Sequence, residues 1–347
     1  MAKVAINGFG RIGRTFFKMA MDNPDFEIVA INDLGDVENL AYLLTYDTAY
    51  GRSPFTVETT ADSLIVNGKS IRFIQERNPE ALPWAELEVE VVVEATGIFN
   101  SYEKSKAHLT AGAKRVVISG PVKDAPADSG VRGATVLMGV NEVQLQTCEI
   151  SSNASCTTNA TSPVVAVMKS AIGVEKAILN TVHAYTATQA IVDGPAKDFR
   201  KGRAAAQNII PTSTGAAVAT TLAHTDLVDK FDGIAIRVPV PVGSIVDITF
   251  IASRDTTVEE VNEALIKAAS EPVWQHLLAV TDEPLVSSDI IGSQVAAIAD
   301  LSMTRVVGGN LVKVLAWYDN ETSYTRTLVD QVAAVARVGR EATTTNS

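Results

Sequence analysis

Val4-Ala5-Ile6-Asn7-Gly8-Phe9-Gly10-Arg11-Ile12-Gly13-Arg14 is a short apolar strand that enters G-x-G-x-x-G, and a helical pattern carried by Phe16, Phe17 and Met19 follows. Glycines at 8, 10 and 13 allow a tight turn and let a pyrophosphate approach the N-terminus of that helix. The motif alone is weak, but between a strand and a helix it is specific. Its second half stands twenty residues past Gly13, where a strand at 27–31 ends in Asn32-Asp33. A carboxylate at that strand tip can accept hydrogen bonds from ribose hydroxyls. These residues predict a dinucleotide site.

The flanking chain extends the same architecture. A helix is expected over 37–44, then short strands around 55–57, 63–66 and 71–74, with Asn67-Gly68 as a hairpin turn. Arg77, after this hairpin, reads by itself as a surface arginine. Apolar strands are expected over 89–94, 115–118 and 135–140, with a helix at 102–111. Alternating strands and helices imply a doubly wound parallel sheet with ligands at the C-terminal strand ends. Asn32-Asp33, Thr96-Gly97 and Ser119 all stand at such ends.

A different pattern begins at Ser152-Asn153-Ala154-Ser155-Cys156-Thr157-Thr158-Asn159. Short polar side chains cap helix N-termini, and the apolar run from Pro163 to Met168 follows. Cys156 is therefore expected in the first turn of a buried helix, whose N-terminal field favours a nucleophilic thiolate. Long strands over 176–184, 233–240, 244–252 and 311–318 then succeed one another, which predicts an antiparallel or mixed sheet. A capping box from Thr257 to Glu260 is expected to start a helix over 258–270, and an amphipathic helix is expected over 324–338. Arg237 lies inside an apolar strand, where its charge calls for an anion or a carboxylate. Lys197, Arg200, Lys201 and Arg203 form the densest basic run, which on its own reads as a solvated face. Residues 343–346 are expected to be disordered.

Composition narrows the function. The chain has 347 residues, 46% of them apolar and 20% charged, which suits two domains with substantial cores. A net charge of −11 argues against nucleic acid as the main partner. No apolar run approaches the ~18 residues of a membrane span. The first residues enter a strand at once and leave no room for a signal peptide, so a cytoplasmic location is expected. Two cysteines, Cys148 and Cys156, cannot build a disulfide framework, and the four histidines show no metal-ligand spacing, so no metal is expected.

Together these stretches resemble the phosphorylating glyceraldehyde-3-phosphate dehydrogenase family. The resemblance rests on residues 7–14, 32–33, 94–97, 152–159, 181–189, 193–195, 208–217, 237–239 and 317–321, nearly the whole chain in order. It implies an α/β fold: an N-terminal Rossmann-type doubly wound parallel sheet and a catalytic domain with a mostly antiparallel mixed sheet. The NAD-binding domain would span 1–155 and be rejoined by the C-terminal helix 320–340, with the catalytic domain at 156–319. Cys156 would be the nucleophile and His183 its base. Thr186 and Arg237 would hold the substrate phosphate, and Ser155, Thr157, Thr214 and Gly215 the inorganic phosphate, with Arg200 near both. Gly8, Gly10, Arg11, Ile12, Gly13, Asp33, Arg77, Ser119 and Asn320 would serve NAD. Asp33 and Gly194-Pro195 imply NAD rather than NADP.

The implied partners are glyceraldehyde 3-phosphate and inorganic phosphate, and the implied assembly is a homotetramer with the 193–206 loop at a subunit interface. Glu321-Thr322-Ser323-Tyr324 and Ser119-Gly120-Pro121 depart from the common family pattern near the cofactor. Two other readings share these residues: an erythrose-4-phosphate dehydrogenase, and a NAD-binding regulatory protein with a vestigial site.

Overall fold

The computed structural model describes residues 1–344, with side chains through residue 339. The chain divides into two compact units: Met1–Ala154 together with the chain from Leu328 on, and Ser155–Thr327.

The first unit is a nine-stranded sheet. Its strand order is Gly133–Thr135, Ile150–Ser152, Arg115–Ile118, Val91–Glu94, Ala2–Asn7, Phe26–Asn32, Lys69–Ile74, Ser63–Val66 and Val57–Thr59. All neighbours are parallel as far as Lys69–Ile74, and the last two pairs are antiparallel. Val91, Val92 and Val93 are buried on both faces, as parallel central strands require. The register sets Asn7 beside both Asn32 and Glu94, so three polar residues end three adjacent strands in one row. Phe16 and Phe17 of the helix Arg11–Ala20 enter the core on one face, each worth about 1.5–3 kcal/mol of burial. The same core takes Leu328, Val329, Val332 and Val335 from the helix Thr322–Thr344. Gln331 donates to Ser151 Oγ at 2.8 Å.

The second unit is an eight-stranded mixed sheet. Its main path runs Ile210–Ser213, Phe231–Val238, Lys176–Ala184, Ser244–Ile251, Leu311–Tyr318, Ala297–Asp300 and Leu278–Thr281, with Arg305–Val307 beside Leu311–Tyr318. Only two of its pairs are parallel, Lys176–Ala184 with Phe231–Val238 and Leu278–Thr281 with Ala297–Asp300. Ser244–Ile251 and Leu311–Tyr318 alternate buried and less buried residues along one covered face. The helix Cys156–Ala171 packs on that face. No helix among the described residues is long and apolar enough to cross a membrane.

Four local expectations are corrected. The strand expected over 135–140 is Gly133–Thr135 instead, because Asn141 Oδ1 takes the Leu137 N–H and Gly139 turns the chain with φ +76°. The strand Ile150–Ser152 was not expected, since its two serines merge with the polar stretch after it. At the helix Val258–Ala269, Thr257 caps the Glu260 N–H, but the Glu260 carboxylate is taken by Arg254 and Thr256 Oγ1, so the expected box is half made. The terminal helix runs to Thr344 and so takes in Thr343 and Thr344, while Thr345 and Asn346 lie outside the described residues.

Candidate active site

Cys156 is the first residue of its helix, as its polar neighbours predict. Ser155 is the N-cap, and its Oγ accepts the Thr158 N–H at 3.1 Å. Just before it, Ala154 has φ +54°, a left-handed conformation that costs a non-glycine residue about 1–2 kcal/mol. Ser152 Oγ braces this turn by accepting the Ala154 N–H and donating to the Gly120 carbonyl.

Cys156 Sγ lies 3.3 Å from His183 Nε2. His183 stands near the end of Lys176–Ala184, and its Nδ1 lies 2.6 Å from the Ala184 carbonyl. This carbonyl can only accept, but the Arg237 guanidinium, which can only donate, meets the same nitrogen, so the contacts at Nδ1 do not assign the ring proton. Arg237 pairs with His183 across the parallel strands. Its guanidinium contacts His183 Nδ1 and donates to the Ala184 carbonyl at 3.1 Å. Burial pushes the Cys156 thiol up, and the Arg237 charge only partly offsets this. Burial, with help from the same charge, lowers His183 to about 3. The resting pair is therefore a thiol beside a neutral imidazole, and burial outweighs the helix N-terminus.

Tyr318 was missed from sequence. Its buried hydroxyl lies 2.9 Å from both Thr157 Oγ1 and Thr181 Oγ1, and its ring meets His183 edge-on at 5.9 Å. The only sequence signal was a tyrosine closing an apolar strand just before Asp319-Asn320. Asn320 Oδ1 accepts from Gly243 N–H and Ser244 Oγ, and Ser244 Oγ accepts the Ala184 N–H.

The anion candidates are more dispersed. The Thr186 N–H donates to Gln189 Oε1 at 3.3 Å, and its Oγ1 is 2.9 Å from Thr188 Oγ1. Thr214 Oγ1 and Gly215 start the short helix Ala216–Thr221. Arg200 is exposed, with its N–H held by Asp198. Among the described residues no hydrogen bond joins Thr186, Arg200, Thr214 or Gly215 to the cluster of Cys156, His183, Arg237, Thr157 and Tyr318.

Four of the dinucleotide candidates, Gly8, Gly10, Asp33 and Arg77, line a cavity of about 430 Å³ in the first unit, with Thr96 also on its wall. Arg77 is exposed, as expected of a surface arginine, and also lines this cavity. A Cβ on Gly8 would stand 2.6 Å from Thr96 N, and one on Gly13 would stand 2.1 Å from the Gly8 carbonyl. Gly10 has open space where its Cβ would be. Close packing behind the turn and room in front of it fit a bound pyrophosphate. Asp33 accepts the Phe9 N–H at 2.6 Å and the Gly35 N–H at 2.8 Å, so it also braces the glycine turn. The Arg11 side chain pairs with Asp47 and packs over Tyr50, which leaves its backbone as the group at the turn. Ile12 packs on the core, and Ser119 donates its N–H to the Glu94 carbonyl.

The departures have local reasons. A side chain at Gly120 would meet Asn100 at 2.8 Å. Thr322 N–H and Ser323 Oγ bond to Asp319 at the start of the terminal helix.

A dinucleotide-type sheet combined with a cysteine–histidine pair defines a dehydrogenase class that works through a thiol. Residues 2–102 match the family described as "Glyceraldehyde 3-phosphate dehydrogenase, NAD binding domain", and residues 155–320 match its "C-terminal domain". The chain belongs to the glyceraldehyde-3-phosphate dehydrogenase family. It is 47% identical to the glyceraldehyde-3-phosphate dehydrogenase of Geobacillus stearothermophilus over 97% of this chain and 99% of the relative. It is 48% identical to that of Thermotoga maritima over 97% and 100%. Identity is 47% to glyceraldehyde-3-phosphate dehydrogenase 2 of Streptomyces avermitilis, over 94% and 96%.

Proposed function

We propose that this chain catalyses the NAD-dependent oxidative phosphorylation of D-glyceraldehyde 3-phosphate to 1,3-bisphosphoglycerate, as a glycolytic oxidoreductase. The observation that carries the chemistry is the 3.3 Å approach of Cys156 Sγ to His183 Nε2. Sγ attacks the aldehyde carbon while its proton passes to Nε2, and Nε2 hands that proton on to the carbonyl oxygen to give a thiohemiacetal. The Cys156 backbone N–H, in the first turn of its helix, has no intrahelical acceptor and can donate to the developing oxyanion. NAD, held at the glycine turn, would supply the acceptor for the hydride of the former aldehyde carbon. His183 takes the hydroxyl proton, which leaves a thioester on Cys156. A phosphate oxygen then attacks the acyl carbon, the C–S bond breaks, and the thiol is restored.

Arg237 and Thr186 hold the substrate phosphate; Ser155, Thr157, Thr214, Gly215 and Arg200 serve the inorganic one. Gly8, Gly10, Gly13, Asp33, Arg77 and the backbone at Arg11 and Ile12 hold NAD, and Ser119 and Asn320 add further contacts to it. Residues 1–155 with 320–340 act as the NAD-binding domain, and 156–319 as the catalytic domain. The enzyme works in the cytoplasm as a homotetramer. Exposed Ile191, Val192 and Phe199 on the 193–206 loop and its flank support burial against another copy.

The test is NAD reduction with glyceraldehyde 3-phosphate, with and without inorganic phosphate. Multiple turnover is expected only with phosphate and is lost in Cys156→Ser. Turnover by the serine variant would remove Cys156 from its role, and faster turnover of erythrose 4-phosphate would reassign the substrate.

A further inference from the structure

Beneath the dinucleotide cavity lies a buried polar chain that the reaction does not use. Trp84, Glu94 and His108 are fully buried. Trp84 Nε1 lies 3.1 Å from His108 Nδ1. Indole nitrogen can only donate, so Nδ1 carries no proton and Nε2 does. His108 Nε2–H therefore donates to Glu94 Oε2 at 3.0 Å. The same oxygen receives Asn7 Nδ2 at 2.6 Å, while Oε1 receives the Thr96 N–H at 2.8 Å and Thr96 Oγ1 at 2.5 Å. Four donors thus fill one carboxylate. From there Asn7 Oδ1 accepts Asn32 Nδ2 at 2.7 Å, and Asn32 Oδ1 accepts the Glu76 N–H at 2.8 Å. Asn7, Asn32, Glu76 and Thr96 all line the cavity.

We propose that His108, held in one tautomer by Trp84, is a positioning residue for NAD: through Glu94 it fixes both Thr96 and Asn7, on two walls of the cavity. The inference rests on the dinucleotide reading of that cavity. Nothing else in the chain's chemistry calls for a histidine there, since a leucine would fill the core at lower cost in desolvation. A buried carboxylate that loses one of its donors can turn toward the others, and the strand-end row moves with it.

Two amide variants separate the bonds of the ring. Glutamine places its amide near the Nε2 position and keeps the donor to Glu94. Asparagine reaches only the Nδ1 position and leaves Glu94 short of a donor. Titration of the full-length protein with NAD is expected to give about a tenfold weaker Kd for His108→Asn, the size of one lost hydrogen bond to a charged group, with near wild-type affinity for His108→Gln. KM for NAD should rise in His108→Asn with little change in kcat, because His108 touches no reacting atom. Equal affinity in both variants, whether weakened or unchanged, would overturn the proposal, since packing alone would then explain the residue. If His108→Asn does not fold, Glu94→Gln takes its place and should weaken NAD binding at least as much; unchanged affinity there overturns the proposal too. A wild type that binds no NAD would instead overturn the dinucleotide reading itself.

Discussion

A thiol beside a neutral imidazole becomes a nucleophile only as its proton leaves. Burial raises Cys156 above an ordinary thiol, so iodoacetamide should label it slowly near neutrality and faster as pH rises. The wild type should still label at Cys156 well before buried Cys148, which has no imidazole beside it. His183→Asn should slow that labelling and lower turnover by about 10²–10⁴-fold. Equal labelling of the two cysteines would remove the assignment. Asp33 carries a second residue-scale expectation. Its carboxylate opposes a 2′-phosphate in a half-buried setting, so kcat/KM should favour NAD over NADP. Asp33→Gly should narrow that preference and also weaken NAD itself, because the Phe9 and Gly35 N–H groups lose their acceptor. A variant with unchanged preference would leave Asp33 as a brace alone. Cys156 and Asp33 were legible in sequence because each stands in a short local pattern. Tyr318 was not, since its partners Thr157 and Thr181 are distant in the chain.

Elements were legible where one local rule governs them. The strand Lys176–Ala184 and the glycine turn follow from apolar runs and a motif, and both stand where the sequence puts them. What sequence withholds is pairing: that Arg237 lies beside His183 depends on the register of two strands some fifty residues apart, and on their being parallel. The glycine turn offers an element-scale test. Gly13→Ala would press a methyl into the Gly8 carbonyl, and overpacking of this kind costs about 1–3 kcal/mol. Gly10→Ala meets nothing within 4 Å and should leave stability nearly unchanged while blocking the cofactor's approach. Urea midpoints and NAD titrations of the two variants should therefore diverge. A stable Gly13→Ala, or a Gly10→Ala that binds NAD normally, would contradict the turn's geometry.

At the scale of the whole molecule, acid is the predicted weakness. Burial lowers His183 to about 3 and His224 to about 4, against about 6.5 for an exposed histidine. Between those values the unfolded chain binds protons that the folded chain refuses, so stability should fall as pH drops from about 6.5 toward 4. A urea midpoint unchanged between pH 7 and pH 5 would show that these rings are not held neutral. The division into units carries a different consequence, one of timing. The strand Ala2–Asn7 leaves the ribosome well before Leu328, Val329 and Val332, which complete its core. At about 5–20 residues per second, the amino-terminal sheet waits roughly 15–70 seconds for its own closing helix. The intervening unit, continuous from Ser155 to Thr327, is itself fully synthesised only as that interval ends. The amino-terminal sheet thus begins first and is closed late, and a nascent chain stalled before Leu328 would hold that sheet with part of one apolar face still open to chaperones.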